Sequence, residues 1–489
     1  NLPIPIIVDL NNDQNKEIII DNLNSLFAFN FDGSLLWETK VPQDFMPTIL
    51  VADLDNDGKK EIVIQGNAAL EPKMTILNGQ GSIISEWDLP NSYWSASIMA
   101  SPAVGNFDDD SDLEIVSVRV HEDAGYDWDT GEWIDKGVIY VYNKDGTILN
   151  GWPKILPGLT FSSPVVGDVN NDGQDEIILG LMMGNGGLYA LNRDGNVLGG
   201  WPVQEGWDFW STPSLADFDR DGNLEIAVGT LEFQTYIFRH DGTTVPGWPR
   251  HISWADYYSG VIGDITNDGI PDFVTTAGGI YSCLGGDCGG VYAWNFDGTP
   301  INTFPKVTEV DAQAPAVIDD LDGDGKMEII ASSDFDFELE NCDFEQCDKF
   351  RGSIYVWEMD SNLNEDSMQW PTFHHDNQRA GKYKTADTTS PILNISLLSG
   401  NTALISCQDS ETECNESSYA YYLKADSGTR RVACPWDISS YTKNDPAARR
   451  YSGGFSVLLN SSSWVCGYAK DNAGNPGFSE PTWIEIISS

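Results

Sequence analysis

Short apolar runs rich in β-branched residues alternate with polar turns along the chain from Ile6 to the neighbourhood of Lys384. The stretch from Ser163 shows the unit. "SPVVGD" is apolar, "VNNDGQD" is polar, "EIILG" is apolar again, "GGLYALNRDG" closes on Asp-Gly, and a last run ends at "GWP". Runs this short, bounded by Gly, Asp and Asn, predict strands, and Asp-Gly suits the positive φ angles of a tight hairpin turn. Proline cannot donate to a strand ladder, so the run ending in Gly-Trp-Pro belongs at a sheet edge. It recurs at Gly151–Pro153, Gly200–Pro202 and Gly247–Pro249, with variants at Phe304–Pro305 and Trp370–Pro371. The polar turn begins at residues 9, 53, 106, 168, 217, 264 and 320, seven copies spaced 44 to 62 residues apart. Four strands per period at such spacing predict propeller blades. The expected fold is all-β, with a seven-bladed β-propeller over residues 1–384 and a second domain at 385–489. In the latter, "YAYYLKA", "GFSVLLN" and the turn "DNAGN" predict a small β-sandwich.

Charge narrows the partners. With 75 Asp and Glu against 27 Lys and Arg, the formal charge is -48, which repels nucleic acid and anionic bilayers and attracts cations. No run of 18 apolar residues is present, so no direct membrane insertion is expected. The chain begins at Asn1 rather than Met and reads as a mature or excised piece.

The acidic residues are concentrated in the repeated turn, whose seven copies hold 27 of the 75. Positions one, three, five and nine of the turn carry side-chain oxygens, and position six is usually Gly. The candidate ligands are Asp9, Asn11, Asp13 and Glu17; Asp53, Asp55, Asp57 and Glu61; Asn106, Asp108, Asp110 and Glu114; Asp168, Asn170, Asp172 and Glu176; Asp217, Asp219, Asp221 and Glu225; Asp264, Asp268 and Asp272; and Asp320, Asp322, Asp324 and Glu328. Alternate side chains on a curled loop converge on one point, and a hard cation such as Ca²⁺ takes about six to eight oxygens there. Unlike an EF-hand loop, this one has no flanking helix pattern, and its last ligand comes at position nine. Plain polar turns are the alternative, but turn chemistry asks for Asp-Gly and not for three further oxygens at fixed offsets. Three copies depart from the pattern: the first lacks the Gly, the third has Asn106 and Ser111, and the sixth has Thr266 at position three. Up to seven Ca²⁺ ions are therefore expected, each relieving carboxylate repulsion and tying two strands together.

These loops resemble the FG-GAP repeats of integrin α-subunit propellers and, more closely, the related repeats of secreted bacterial and archaeal proteins. The resemblance implies Ca²⁺ on the hairpin between the first two strands of each blade, held by the residues named above. "SPVVGD" and "IILG" stand in place of the literal FG and GAP signatures, so an integrin-like partner is not implied. The tail "WPTFHHDNQRAG" resembles the closing segment of such microbial propellers, and the last domain, with its "DNAGN", resembles Ig-like modules of surface proteins.

Eight cysteines, even in number and locally clustered, suggest disulfides and an oxidising location. Cys283 with Cys288 and Cys342 with Cys347 are expected as local staples rather than a zinc site. The expected pairs in the last domain are Cys407 with Cys414 and Cys434 with Cys466, though other connectivities stay open there. Asn-x-Ser sequons at Asn394, Asn415 and Asn460 suggest an exposed, glycosylated, extracellular module.

In this strand order, loops opposite the acidic hairpins carry Tyr93, Trp94, Phe161, Trp207, Phe209, Trp210, Trp254, Tyr257 and Tyr258, either packing between blades or offering a face to a protein or glycan. His374, His375 and Asp376 read as the end of the last strand rather than as catalysts, and no nucleophile-elbow, zincin or phosphate-loop motif is present. The expected function is a secreted or cell-surface calcium-binding propeller with an adhesive or structural assembly role and no enzymatic activity, self-association being permitted. A lectin or polysaccharide lyase using the aromatic face is the alternative.

Overall fold

The structure, a computed structural model, describes residues 5–11, 15–22, 25–41, 48–66, 72–91, 100–121, 124–127, 132–205, 208–253, 259–278, 289–308, 312, 314–333, 353–362, 368–376 and 378–383, and beyond these the backbone of strands between 392 and 484. The described residues are all β, with no helix. The chain forms two compact units, Asn1–Tyr383 and Lys384–Ser489.

In the first unit the described strands form seven small antiparallel sheets, each drawn from one stretch of chain, and a separate two-stranded hairpin, Gly125–Asp127 with Glu132–Ile134, that interrupts the third. Their first strands are Ile6–Val8, Thr48–Ala52, Ala103–Gly105, Val165–Gly167, Ser214–Ala216, Val261–Gly263 and Val317–Asp319. A nine-residue loop leads to the second strand, which starts at its last acid: Glu17, Glu61, Glu114, Glu176, Glu225 and Asp272 open theirs, and Glu328 lies inside Lys326–Ser332. Five sheets have four strands, and the fourth and seventh have three. In the fourth sheet Val203, just past Trp201-Pro202, pairs with Leu188 where a fourth strand would lie. Burial falls outward. Val165–Gly167 and Glu176–Leu181 are wholly buried, whereas Leu35–Lys40 and Ile83–Asp88 alternate between exposed and half-buried positions.

Apolar clusters join each sheet to the next. One unites the first and second sheets through Ile19, Leu26, Val51 and Ile62, and the following ones join second to third, third to fourth, fourth to fifth and sixth, and sixth to seventh. First strands of neighbouring sheets lie side by side, as Ala103–Gly105 does with Val165–Gly167. Successive four-stranded sheets stacked face to face, first strands inward, fit a propeller. The edge tryptophans interlock them: the indole N–H of Trp201 donates to His240 O (2.9 Å), that of Trp248 to Phe296 O (2.8 Å) and that of Trp37 to Gly79 O (3.1 Å), each in the next sheet's turn.

One expectation is corrected. Trp370-Pro371 does not end an outer strand, and His374 and His375 do not close one. Residues 370–376 and 378–383 instead form a strap across the first strands of the sheets. Trp370 pairs with Ile262 in both directions (N–H to O 3.0 and 2.8 Å), and Pro371 O accepts Ile318 N–H (2.9 Å). Farther along, Gln378 O accepts Val51 N–H (2.9 Å), Ala380 O accepts Val104 N–H (3.0 Å), and Gly381 O accepts Val166 N–H (2.7 Å). Finally Tyr383 N–H donates to Val166 O (2.7 Å). Trp370 and His374 are fully buried at 0 % exposure, so Trp-Pro here marks the inside of the unit, not its rim.

The second unit has two antiparallel sheets that contact each other. One runs Ile392–Ser399, Thr402–Gln408, Gly454–Leu458, Arg449–Tyr451. In the other, Cys414–Ala425 pairs with Thr442–Lys443 and Ser463–Asp471, and the latter also pairs with Pro476–Phe478 and Thr482–Ile484. Asn394, Cys407, Cys414, Asn415 and Cys466 lie on these strands, and the expectations for their side chains lie outside what is described. The same holds for Asp13, Tyr93, Trp94, Trp207, Trp254, Tyr257, Tyr258, Cys283, Cys288, Cys342, Cys347, Cys434 and Asn460.

Candidate metal centre

Each acidic loop is held by its own carboxylates. The position-nine acid turns back and accepts the backbone N–H of position two in all seven copies: Leu10 to Glu17 (2.9 Å), Leu54 to Glu61 (3.0 Å), Phe107 to Glu114 (2.7 Å), Val169 to Glu176 (3.1 Å), Phe218 to Glu225 (3.0 Å), Ile265 to Asp272 (3.1 Å) and Leu321 to Glu328 (2.7 Å). These seven acids are 1 to 5 % exposed. The sequence signal for this bond is the apolar residue at position two in every copy. It is buried in six of them, which draws the adjoining N–H inward with it, whereas Leu321 is exposed.

Position one fixes the curl. Asp168 accepts N–H bonds from Asp172 (2.9 Å) and Gly173 (2.7 Å), and Asp53, Asp217, Asp264 and Asp320 do the same for positions five and six of their loops. Position four turns left-handed at Asn56, Asn171, Arg220 and Asn267 (φ 51 to 59°), and so does the Gly at position six. The third loop traces differently: Asn106 donates through Nδ2 to Asp110 O (2.7 Å), since its amide cannot supply the carboxylate's paired oxygens.

Ligand-capable oxygens converge to within 4.8 Å of one another in four loops: Asp53, Asp55 and Asp57; Asp108, Asp110 and Glu114; Asp217, Asp219 and Glu225; and Asp320, Asp322 and Glu328. Among the position-nine acids, Glu114, Glu176, Glu225 and Asp272 are strained electrostatically. Burial first, then neighbouring Asp charges, push Glu114 up to about 7, and burial with Asp172, Asp168 and Asp175 pushes Glu176 up to about 8. Glu225 rises to about 8 through burial and Asp219, and Asp272 to about 7 chiefly through burial. The N–H from position two works against the rise at Glu114, Glu176 and Glu225, as Thr266 does at Asp272, and does not cancel it. Asp55 Oδ1 and Asp272 Oδ1 are buried without a hydrogen-bond partner. Such hard, anionic oxygens suit a divalent cation of the Ca²⁺ type.

Two contacts were not legible in the loops themselves. Lys144, on the turn of the third sheet, donates to Asp55 Oδ2 of the second loop, and Arg193, on the turn of the fourth, donates to Asp109 of the third loop (2.9 Å). Burial opposes charge on Lys144, but Asp55, Glu61 and Asp112 outweigh it and raise its pKa. The next sheet thus brings a cation of its own to these loops.

On the aromatic side, Phe209 is fully buried core, and Phe161 and Trp210 stack on each other (4.4 Å between centroids, 6° apart) over Leu159 and Met182. His374 Nδ1–H donates to Arg379 O (3.2 Å), and burial pulls its pKa down to about 4.

The first unit is thus an all-β array of small sheets with an acidic loop leading into each second strand. Residues 168–228, holding the fourth and fifth loops, match a family model described as an FG-GAP-like repeat. No curated protein matches the chain. Among solved structures it is similar to Rhamnogalacturonan Lyase PL11 of Bacillus licheniformis (17 % identity, TM-score 0.43), over 67 % of this chain and 61 % of that one. It is also similar to the V. cholerae biofilm matrix protein Bap1 (14 %, TM-score 0.37, 98 % and 72 %) and to BBS1N in complex with ARL6DN (12 %, TM-score 0.34, 62 % and 80 %). These likenesses, all below a TM-score of 0.5, do not bear on activity. No helix among the described residues is long and apolar enough to cross a membrane.

Proposed function

We propose that this is an extracellular, calcium-stabilised seven-bladed propeller carrying an Ig-like module, with an adhesive or structural assembly role and no catalytic one. The supporting observation is the loop geometry: in every copy a buried carboxylate closes the loop through one oxygen, and in four loops acidic oxygens converge to within 4.8 Å of one another. A cation there converts repulsion into a cross-tie between two strands, so binding energy becomes folding energy. A device repeated in every sheet serves the scaffold. Millimolar Ca²⁺ outside cells, the even cysteine count and the FG-GAP-like repeat support an extracellular setting.

Metal analysis of the purified chain, with melting in Ca²⁺ and in chelator, tests the calcium part. A glycan array with a polysaccharide lyase assay tests the role. Specific sugar binding or cleavage would replace the structural reading with the carbohydrate-active one, and light scattering with and without Ca²⁺ tests self-association.

A further inference from the structure

We infer that the strap Trp370–Tyr383 is the element that closes the array of sheets, and that cation loading of the third to fifth loops keeps its end seated. The second clause rests on the calcium reading above.

Each of these seven sheets draws its strands from one stretch of chain, so among the described residues none is shared between the unit's two ends. The strap supplies the missing connection. Its backbone joins the second, third, fourth, sixth and seventh sheets through Val51, Val104, Val166, Ile262 and Ile318. Arg379 Nη2 donates to Pro5 O of the first sheet's edge (3.4 Å) and faces Asp21. Tyr383 packs in one cluster with Leu215 and Leu224 of the fifth sheet and faces Asp217 and Glu225 of its loop. All seven sheets meet this one segment. The fit is close: a Cβ on Gly381, which has φ +65°, would lie 2.8 Å from Ala103 Cβ and 3.0 Å from the His374 ring.

The end of the strap touches the acidic loops. Lys382 Nζ binds Asp175 Oδ2 (2.7 Å), and the same oxygen accepts Asn106 N–H (2.8 Å). Asp175 is position eight of the fourth loop, between two candidate ligands, and Asn106 is position one of the third. A bound ion fixes the backbone on both sides of Asp175, whereas repulsion in a bare loop displaces it and with it both contacts. Attraction of Lys382 to a bare loop opposes this, but acts through one partly exposed ammonium and leaves Asn106 unaffected.

Hydrogen exchange on the intact chain, read by mass spectrometry with and without Ca²⁺ below the melting transition, tests the inference, with bound ions counted in parallel. The peptide holding Gly381 and Tyr383 should exchange about tenfold faster in chelator while peptides from Glu176–Leu181 and Glu225–Gly229 change by less than about twofold. Lys382→Met should loosen the same peptide in Ca²⁺ without lowering the ion count. If ions bind and the strap's exchange is unchanged, or every peptide loosens equally, the coupling is wrong and the calcium reading stands. If no ion binds, both fall.

Discussion

Glu225→Gln separates a metal ligand from a structural hydrogen-bond acceptor. The amide carbonyl can still accept the Phe218 N–H that Glu225 holds at 3.0 Å, but the formal charge facing Asp217 and Asp219 is gone. In chelator at pH 7 the change is small, because a carboxyl pushed up to about 8 is already mostly protonated there. In Ca²⁺ the mutant forfeits the stabilisation of one ion, about 2.7 kcal/mol when free Ca²⁺ is about 100 times the dissociation constant. The 383 residues of the first unit, at about 2.1 cal/mol/K each, give an unfolding entropy near 0.8 kcal/mol/K, so this loss lowers the midpoint by about 3 °C. Glu225→Ala also strands the Phe218 N–H, at about 1 to 3 kcal/mol, and lowers the midpoint in both conditions. Scanning calorimetry of the three proteins with and without Ca²⁺ reads the pattern. An equal loss for Glu225→Gln in both conditions would show that Glu225 acts only as a structural acceptor.

Lys144→Met removes the ammonium that reaches Asp55, so the melting gain from added Ca²⁺ should be larger than in the parent; an equal gain would mean that Lys144 does not compete for the second loop. Acids whose folded pKa is raised bind more protons folded than unfolded, so the chelated protein should lose stability as pH rises from about 5 to 8, most steeply between about 5 and 7 and levelling off above the values of about 7 to 8 at Glu114, Glu176, Glu225 and Asp272. With Ca²⁺ the slope should vanish, and calorimetry in two buffers at pH 7 should detect proton release on binding; a flat profile in chelator would contradict this. Gly200→Ala and Gly173→Ala both place a side chain at positive φ, but the first drives Cβ to 1.9 Å from Asp241 O and the second meets nothing within 4 Å. The second should cost about 1 to 2 kcal/mol and the first clearly more, as read by denaturant unfolding; equal losses would refute the interlock of edge corner and neighbouring turn.

The acidic pattern of the loops could be read from sequence because it lies within nine residues, and repetition separated the positions that carry side-chain oxygens from ordinary turn residues. The bond from position nine to position two was half visible, in the apolar residue that follows each first Asp, but its direction needs coordinates. Lys144 and Arg193 were not visible as loop partners, because turns of the next sheet bring them in from 89 and 84 residues away. The strap was misread for a related reason. Trp370-Pro371 imitates the edge corner locally, and only contacts with Val51, Val104 and Ile262, far apart in the chain, place it inside.

Metal content and melting of one preparation test the central claim together. Bound Ca²⁺ of several and up to seven ions per chain, with a midpoint that falls in chelator and returns when Ca²⁺ is restored, is the predicted result. A chain that binds no Ca²⁺ and melts at the same temperature with and without chelator would contradict it.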